Sequence, residues 1–398
     1  TLCYLYRYIS LLKTIFSQHS DAAFSVTPEV KNLFTSLVAC FKDTDAQKTV
    51  ANAELRKTFI DTVGTAFEVQ RKVLYNKGLS TATSELTSAE LLEGLELFLS
   101  HCKETISVNQ REDGLFHAYN TMKIGEDGIE ISYLSAMLEG QVAILSAGLL
   151  NSSETERVCK ALRESDLFID NQYSYILYPN RELPLFLEKN AFSAAEAEKI
   201  AVLKKMIDED DHSLLTKDIH NVCHFNPDFV NAKALEHKID ALNKNSIIVD
   251  EKAKSDILAL YEKVFNHQNF TGRSGTFYAY EGLGSIYWHM VAKLMLAVQE
   301  NMWSAYDNFV ETQDAQELER AKALTSYYFD VRKGIGYKKK PEEYGAFPFD
   351  PYSHTPYEQG AKQPGMTGQV KEEILTRMGE LGLRVINKNI VFNPVFLE

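Results

Sequence analysis

Thr87-Ser88-Ala89-Glu90 opens the stretch whose reading decides the fold class. A hydroxyl residue followed three positions later by Glu is a capping-box start, in which each side chain satisfies a backbone N–H that the helix leaves unpaired. The spacing predicts a helix from there to about Ile106. Outward from it, apolar residues keep recurring at helical spacing. Leu2, Leu5, Tyr8, Ile9, Leu12 and Phe16 predict a first helix, and Val30 to Phe41 a second with Pro28 near its first turn. Val50, Leu55, Phe59, Ile60, Val63, Phe67 and Val73 predict a third, over Ala46 to Tyr75. Downstream the same periodicity covers Leu134–Leu149, Ser153–Glu164, Ser193–Ile207, Asn231–Leu242, Glu251–Phe265, Gly284–Asn301, Trp303–Thr312, Ala315–Phe329 and Gly368–Leu381. That makes about thirteen helices. Strand signals are scarce except at the end, where Leu383-Arg384-Val385-Ile386, a turn at Asn387-Lys388-Asn389, and Ile390-Val391-Phe392 read as a β-hairpin.

The class is therefore all-α with a small C-terminal β-hairpin. Four links, 107–132, 166–192, 266–283 and 330–367, are long and rich in Gly, aromatic and polar residues. Loops beyond roughly 12–15 residues are uncommon in compact domains unless they serve a function or are disordered, and these are too aromatic for disorder. Helical hairpins that alternate short and long links suit a ring of paired helices, with the long links building a pocket at one end. The expected architecture is an α/α toroid of about six hairpins over residues 1–381, with residues 382–398 as the start of a β appendage.

The composition limits the partners. The 398 residues carry 42 Lys and Arg against 55 Asp and Glu, a net charge of −13 that repels a phosphate backbone. The longest basic run, Lys338-Lys339-Lys340, is soon offset by Glu342 and Glu343, so nucleic acid is not an expected partner. No apolar stretch is long enough for a membrane span, and Arg7 and Lys13 interrupt the apolar N-terminus. The five cysteines, at 3, 40, 102, 159 and 223, form no CxxC pair and are expected to be free thiols. The chain begins at Thr1, so a processed form or a piece of a longer protein with an N-terminal remainder is expected. The compartment is not readable from the sequence; cytoplasm is slightly favoured, or periplasm if a signal peptide has been removed.

Chemistry is concentrated in the links. The first contains Glu112-Asp113-Gly114-Leu115-Phe116-His117-Ala118-Tyr119-Asn120. A carboxyl group beside Gly, near His and aromatic rings, is what acid catalysis on a sugar leaving group needs, although Asp113-Gly114 also reads as a plain turn. The second link interleaves tyrosines with amides through Asp170-Asn171-Gln172-Tyr173-Ser174-Tyr175, suiting either a sugar wall or a loop packed by its own rings. His220 and His224, with Asp218 and Asp228 nearby, superficially suggest metal ligands. Pro227 and Asn221 argue for polar loop anchors instead, and no metal is expected.

The densest segment runs from Thr271 to Met290. Its glycines allow close backbone approach, Arg273 can bind an anion, and Tyr280, Glu281, Trp288 and His289 gather around one helix start. It fits neither nucleotide-binding glycine motif. Gly365-Met366-Thr367-Gly368 then leads straight into a helix, a natural anion seat, with Gln363 just before it. Thr367 also reads as a simple N-cap.

Together these segments resemble the catalytic toroid of inverting glycoside phosphorylases of the cellobiose phosphorylase type, and more broadly the six-hairpin glycosidases. The order that carries the resemblance is Asp113, then His289 after its Gly-rich aromatic stretch, then Thr367-Gly368, then the terminal hairpin. The family's Asp-Trp-Asn-Asp acid motif is absent; Glu112-Asp113-Gly114 stands nearest to it, with Glu281 as the alternative acid. The resemblance implies a disaccharide or oligosaccharide substrate of β-glucoside type and inorganic phosphate as co-substrate, without a cofactor. In it Asp113 protonates the leaving oxygen, while Arg273, His289, Thr367 and Gly368 hold phosphate. His117, Tyr119, Asn120, Tyr280, Trp288 and Gln363 hold sugar. If water attacks instead, a second carboxylate is needed roughly 6.5–9.5 Å from the acid, and Glu281 is the choice. A glycan-binding scaffold without catalysis and a lyase using His117, Tyr119 and His289 are the remaining readings.

Overall fold

The computed structural model describes residues 1–179, 184–244, 249–265, 286–335, 340, 354–355, 367–386 and 388–397. They are mainly α-helical, with small antiparallel strand sets. The chain divides into two compact units, Thr1–Pro179 with Gly284–Glu398, and Asn180–Leu283 between them. The sequence reading set no boundary at either end of the second unit.

The first unit begins with α1 (Leu2–Ser17), β1 (Ala23–Val26), α2 (Pro28–Lys42), α3 (Ala46–Ala51), α4 (Ala53–Lys77), β2 (Ser84–Thr87) and α5 (Ser88–Ser107). It continues through β3 (Thr121–Ile124), β4 (Ile129–Ser132), α6 (Leu138–Leu145), α7 (Ser152–Glu164), β5 (Phe168–Ile169) and β6 (Ser174–Tyr175). The capping box forms as read. The Glu90 N–H donates to Thr87 Oγ1 at 3.2 Å and the Thr87 N–H to Glu90 Oε2 at 2.8 Å. Pro28 occupies the first turn of α2, where its missing N–H costs nothing.

The third predicted helix is two helices. Asn52 leaves α3 in extended conformation and caps α4, its Oδ1 accepting from the Leu55 N–H at 2.9 Å. On α1 the packed stripe is Leu2, Tyr6, Ile9, Leu12 and Phe16, set against Leu95, Phe98, Leu99 and Cys102 of α5. Leu5 and Tyr8, expected on that stripe, are 45% and 57% exposed. This helix is apolar on two faces, and only one meets α5.

The second unit contains α8 (Phe186–Lys189), β7 (Phe192–Ser193), α9 (Ala194–Ala197), α10 (Ala201–Asp208), β8 (Leu215–Lys217), β9 (Val222–Phe225), α11 (Ala232–Lys244) and α12 (Glu251–Phe265). Among its described residues three strands pair antiparallel in the order β7-β9-β8. Phe192, Leu203, Cys223, Phe225, Leu235, Ile239, Ile257 and Tyr261 form a core of its own. Buried Asn190 brackets Phe225, donating to its carbonyl at 2.7 Å and accepting from its N–H at 2.8 Å. The single helix expected over Ser193–Ile207 is split into α9 and α10, because Ile200 is extended.

The first unit resumes with β10 (Ile286–Tyr287), α13 (Trp288–Thr312), α14 (Ala315–Lys333), β11 (His354–Thr355), α15 (Thr367–Glu380), β12 (Leu383–Ile386) and β13 (Asn389–Phe392). The two helices expected over Gly284–Asn301 and Trp303–Thr312 are one, since Met302 is buried and continues the core face of α13. On that face Gln299 donates to the Thr376 carbonyl of α15 at 2.9 Å. Gly379 sits so close that a Cβ there would lie 2.1 Å from Gln299 Oε1. The terminal hairpin forms in the expected place, with Leu383 opposite Phe392 and Ile386 opposite Asn389. Arg384 ties it to α13 through Asp307 at 2.8 Å and lies over the Trp303 ring.

Gly382 makes the turn from α15 into β12 at φ +71, and a Cβ there would lie 1.9 Å from the Asn393 carbonyl oxygen. A left-handed L-residue costs about 1–2 kcal/mol before any clash. Gly382→Ala is therefore expected to destabilise by more than about 2 kcal/mol and loosen the hairpin. Thermal unfolding with amide exchange over 383–392 checks this.

Candidate functional site

The first cluster lies in the link after α5. Arg111 and Asp113 form a bidentate pair, with Nε to Oδ1 at 3.0 Å and Nη2 to Oδ2 at 2.7 Å, and Asp113 Oδ1 accepts from the Leu115 N–H at 3.1 Å. The guanidinium holds the Asp113 carboxyl below the usual carboxylate range. A general acid works best with a carboxyl pKa raised towards neutral pH, and the Arg111 pair acts in the opposite direction.

Beyond the turn, Phe116 is clamped at both backbone groups by the buried Gln141 side chain of α6, at 2.9 and 2.8 Å. Ala118 is set against Gly140, where a Cβ would come within 2.6 Å of it. His117 stacks on Tyr133 with ring centroids 4.0 Å apart. Burial, then the Arg111 charge, lower its pKa and favour neutral imidazole. Tyr119 is exposed with its backbone in the left-handed region at φ 54, and Asn120 donates to Asn109 Oδ1 at 2.5 Å. Tyr119 and Asn120 are both exposed.

The second cluster is at the starts of α13 and α15. His289 is the second residue of α13 and its Nε2 lies 3.6 Å from Glu372 Oε2 on α15; its Nδ1 faces the Tyr287 hydroxyl at 3.4 Å. Ten residues along α13, Gln299 meets Thr376 and Gly379, so both helices advance in the same sense from one end. Thr367 and Gly368 open α15 about 7 Å along its axis from Glu372, at roughly 1.5 Å per residue. His289 and the start of α15 thus lie toward the same end of the two helices, where both dipoles are positive. Burial, then Lys293, lowers the His289 pKa, and Glu372 opposes them.

Trp288 requires a correction. It has no exposed surface and anchors the first turn of α13 in the core, so it offers no face to a sugar. Of the second link, Tyr175 and Tyr178 are also buried, and the Tyr173 hydroxyl donates to Asp330, which pairs with Arg163 at 3.1 Å. That link is packed by its own rings. Arg273, Tyr280, Glu281 and Gln363 lie outside the described residues, as do the side chains of Thr367 and Gly368.

His224 is in β9 and its Nδ1 meets the Asn190 carbonyl oxygen at 2.5 Å, while Asp218 accepts from the His220 and Val222 N–H groups. These residues anchor a turn, and among the described residues no group of three or more His, Cys, Asp or Glu is placed to hold a metal. No helix among the described residues is long and apolar enough to cross a membrane.

Glu372, Glu373 and Gln141 were not singled out in the sequence. Burial raises the Glu373 carboxyl pKa, and its Oε1 has no hydrogen-bond partner among the described residues. The available signal was the four-residue spacing of Glu372, Thr376 and Glu380, which places all three on one helix face.

Residues 183–268 match the family model described as GH149 phosphorylase insertion domain 2. The matched span lies inside the compact unit Asn180–Leu283. No curated protein matches the chain. The match supports a carbohydrate phosphorylase-type function in general.

Proposed function

We propose that the chain belongs to an enzyme that breaks a glycosidic bond by phosphorolysis with inversion, acting on a disaccharide or oligosaccharide of β-glucoside type. The observation that carries this reading is the phosphorylase insertion-domain match over 183–268, which falls on a unit that is compact by itself. The shared end of α13 and α15 supports it, because two helix N-termini beside an imidazole suit a phosphate dianion. The toroid of about six hairpins belongs to the same proposal.

In the proposed step a carboxylic acid protonates the glycosidic oxygen as its bond to C1 breaks. A phosphate oxygen bonds to C1 from the opposite face, giving a sugar 1-phosphate and a free sugar. His289, Arg273, Thr367 and Gly368 hold the phosphate, and His117, Tyr119, Asn120, Tyr280 and Gln363 hold the sugar. Since the Arg111 guanidinium holds the Asp113 carboxyl below the usual carboxylate range, the proton donor is assigned to Glu281, with Asp113 acting as a carboxylate on a sugar hydroxyl. The lowered pKa of Asp113 favours one second reading, an inverting hydrolase in which it activates water and Glu281 is the acid.

A panel of α- and β-linked disaccharides, incubated with and without inorganic phosphate, separates these readings. Phosphate-dependent release of free sugar, lost in Glu281→Gln, is the expected result. Release that ignores phosphate and is lost in Asp113→Asn would replace phosphorolysis with hydrolysis. Sugar binding without turnover by the folded protein would favour a glycan-binding scaffold.

A further inference from the structure

We infer that Glu372 is the residue that positions His289, holding the Nε2 edge of the imidazole while the Tyr287 hydroxyl faces its Nδ1 edge, so that the ring is fixed for an anion bound at this end of α13 and α15. The inference rests on the phosphorolysis reading. Glu372 is only 7% exposed, yet its Oε2 has no hydrogen-bond partner among the described residues. A buried carboxylate oxygen without a donor is costly, and such groups persist where a site uses them. The donor it faces is His289 Nε2, at 3.6 Å. That separation is too long for a hydrogen bond, but contacts of this kind often tighten only when ligand is bound.

The groups around the ring define what Glu372 does. Tyr287 faces Nδ1 from β10, Lys293 follows one turn later on α13, and Lys371 precedes Glu372 on α15. Burial and both lysines disfavour the imidazolium, and Glu372 favours it. Closing the Nε2–H to carboxylate contact fixes the ring orientation and lets it hold a second proton on Nδ1. The second proton then lies on the side of the Tyr287 hydroxyl, with the counter-charge on the Nε2 side. This is a positioning role, because Glu372 itself would repel the anion.

The test uses the full chain with imidazole-labelled histidine, inorganic phosphate as the probe, and Glu372→Gln. In the wild type the His289 resonances are expected to shift on adding phosphate. In Glu372→Gln the His289 pKa should fall further below its already lowered value, and the KM for phosphate should rise about 10-fold or more with a smaller change in kcat. Glu372→Asp, which keeps the charge but withdraws it from the ring, should fall between the two and serves if the Gln variant does not fold. A His289 titration unchanged in a folded variant overturns the inference, as does a wild-type His289 that ignores phosphate. The readings fail separately: a Glu372-dependent phosphate response without phosphorolysis of any sugar would retain the positioning role and remove the enzymatic one.

Discussion

Glu380→Ala is expected to cost about 3–5 kcal/mol of unfolding free energy, because three donors converge on this one buried carboxylate. Arg332 Nη1 reaches Glu380 Oε1 at 2.8 Å, the Tyr328 hydroxyl donates to the same oxygen at 2.5 Å, and Arg377 Nη1 reaches Oε2 at 2.7 Å. The side chains of Arg332 and Glu380 are 6% and 9% exposed, so water cannot replace what the substitution removes. The penalty comes from a guanidinium left in the core without its carboxylate, more than from the lost attraction. Replacing both charges, Arg332→Met with Glu380→Leu, should therefore recover much of the loss. Denaturant unfolding of the two singles and the double forms a complete cycle. A single-variant cost below about 1 kcal/mol would mean that this network does not hold α14 and α15 together.

His289→Ala is expected to lower phosphate-dependent kcat/KM by about 100- to 1,000-fold, the range seen when one preorganised donor to a developing charge is removed. His289 is only part-buried, and its contacts to Glu372 and Tyr287 are both longer than good hydrogen bonds. Its removal should thus affect phosphate far more than folding. Steady-state kinetics with phosphate varied at fixed sugar, beside a melting curve, separate the two effects. A variant that keeps its phosphate KM and kcat would take His289 out of the site.

The parts of the fold legible in the sequence are those fixed by short-range rules. Thr87 with Glu90 announced a helix start, Pro28 a first turn, and the Leu383 to Phe392 alternation a hairpin. Less legible was whether a helical pattern continues through a polar residue. Asn52 broke the third helix by capping the next, whereas α13 runs unbroken past Met302 to Thr312. The second unit was hidden because its sheet strands have only two to four residues, too few to display alternation.

α15 inverts the usual rule. Val370, Ile374, Leu375 and Met378 lie outward, whereas Glu372, Thr376 and Glu380 are buried, so a rule of apolar inside would select the wrong face. The site shows the same division. A carboxylate beside Gly at Asp113 was readable, but not that Arg111 folds back across two residues to pair with it. Tyr287, Trp288 and Met290 are all apolar enough for either core or pocket, and only packing shows that Trp288 is core.

The central claim is that phosphate, not water, takes the glycosyl group. Phosphorus NMR of the full chain with a β-linked disaccharide and inorganic phosphate tests it most directly. The account predicts a sugar 1-phosphate resonance growing as inorganic phosphate declines, with anomeric configuration opposite to that of the bond broken. An unchanged phosphate resonance while free sugar accumulates would contradict it.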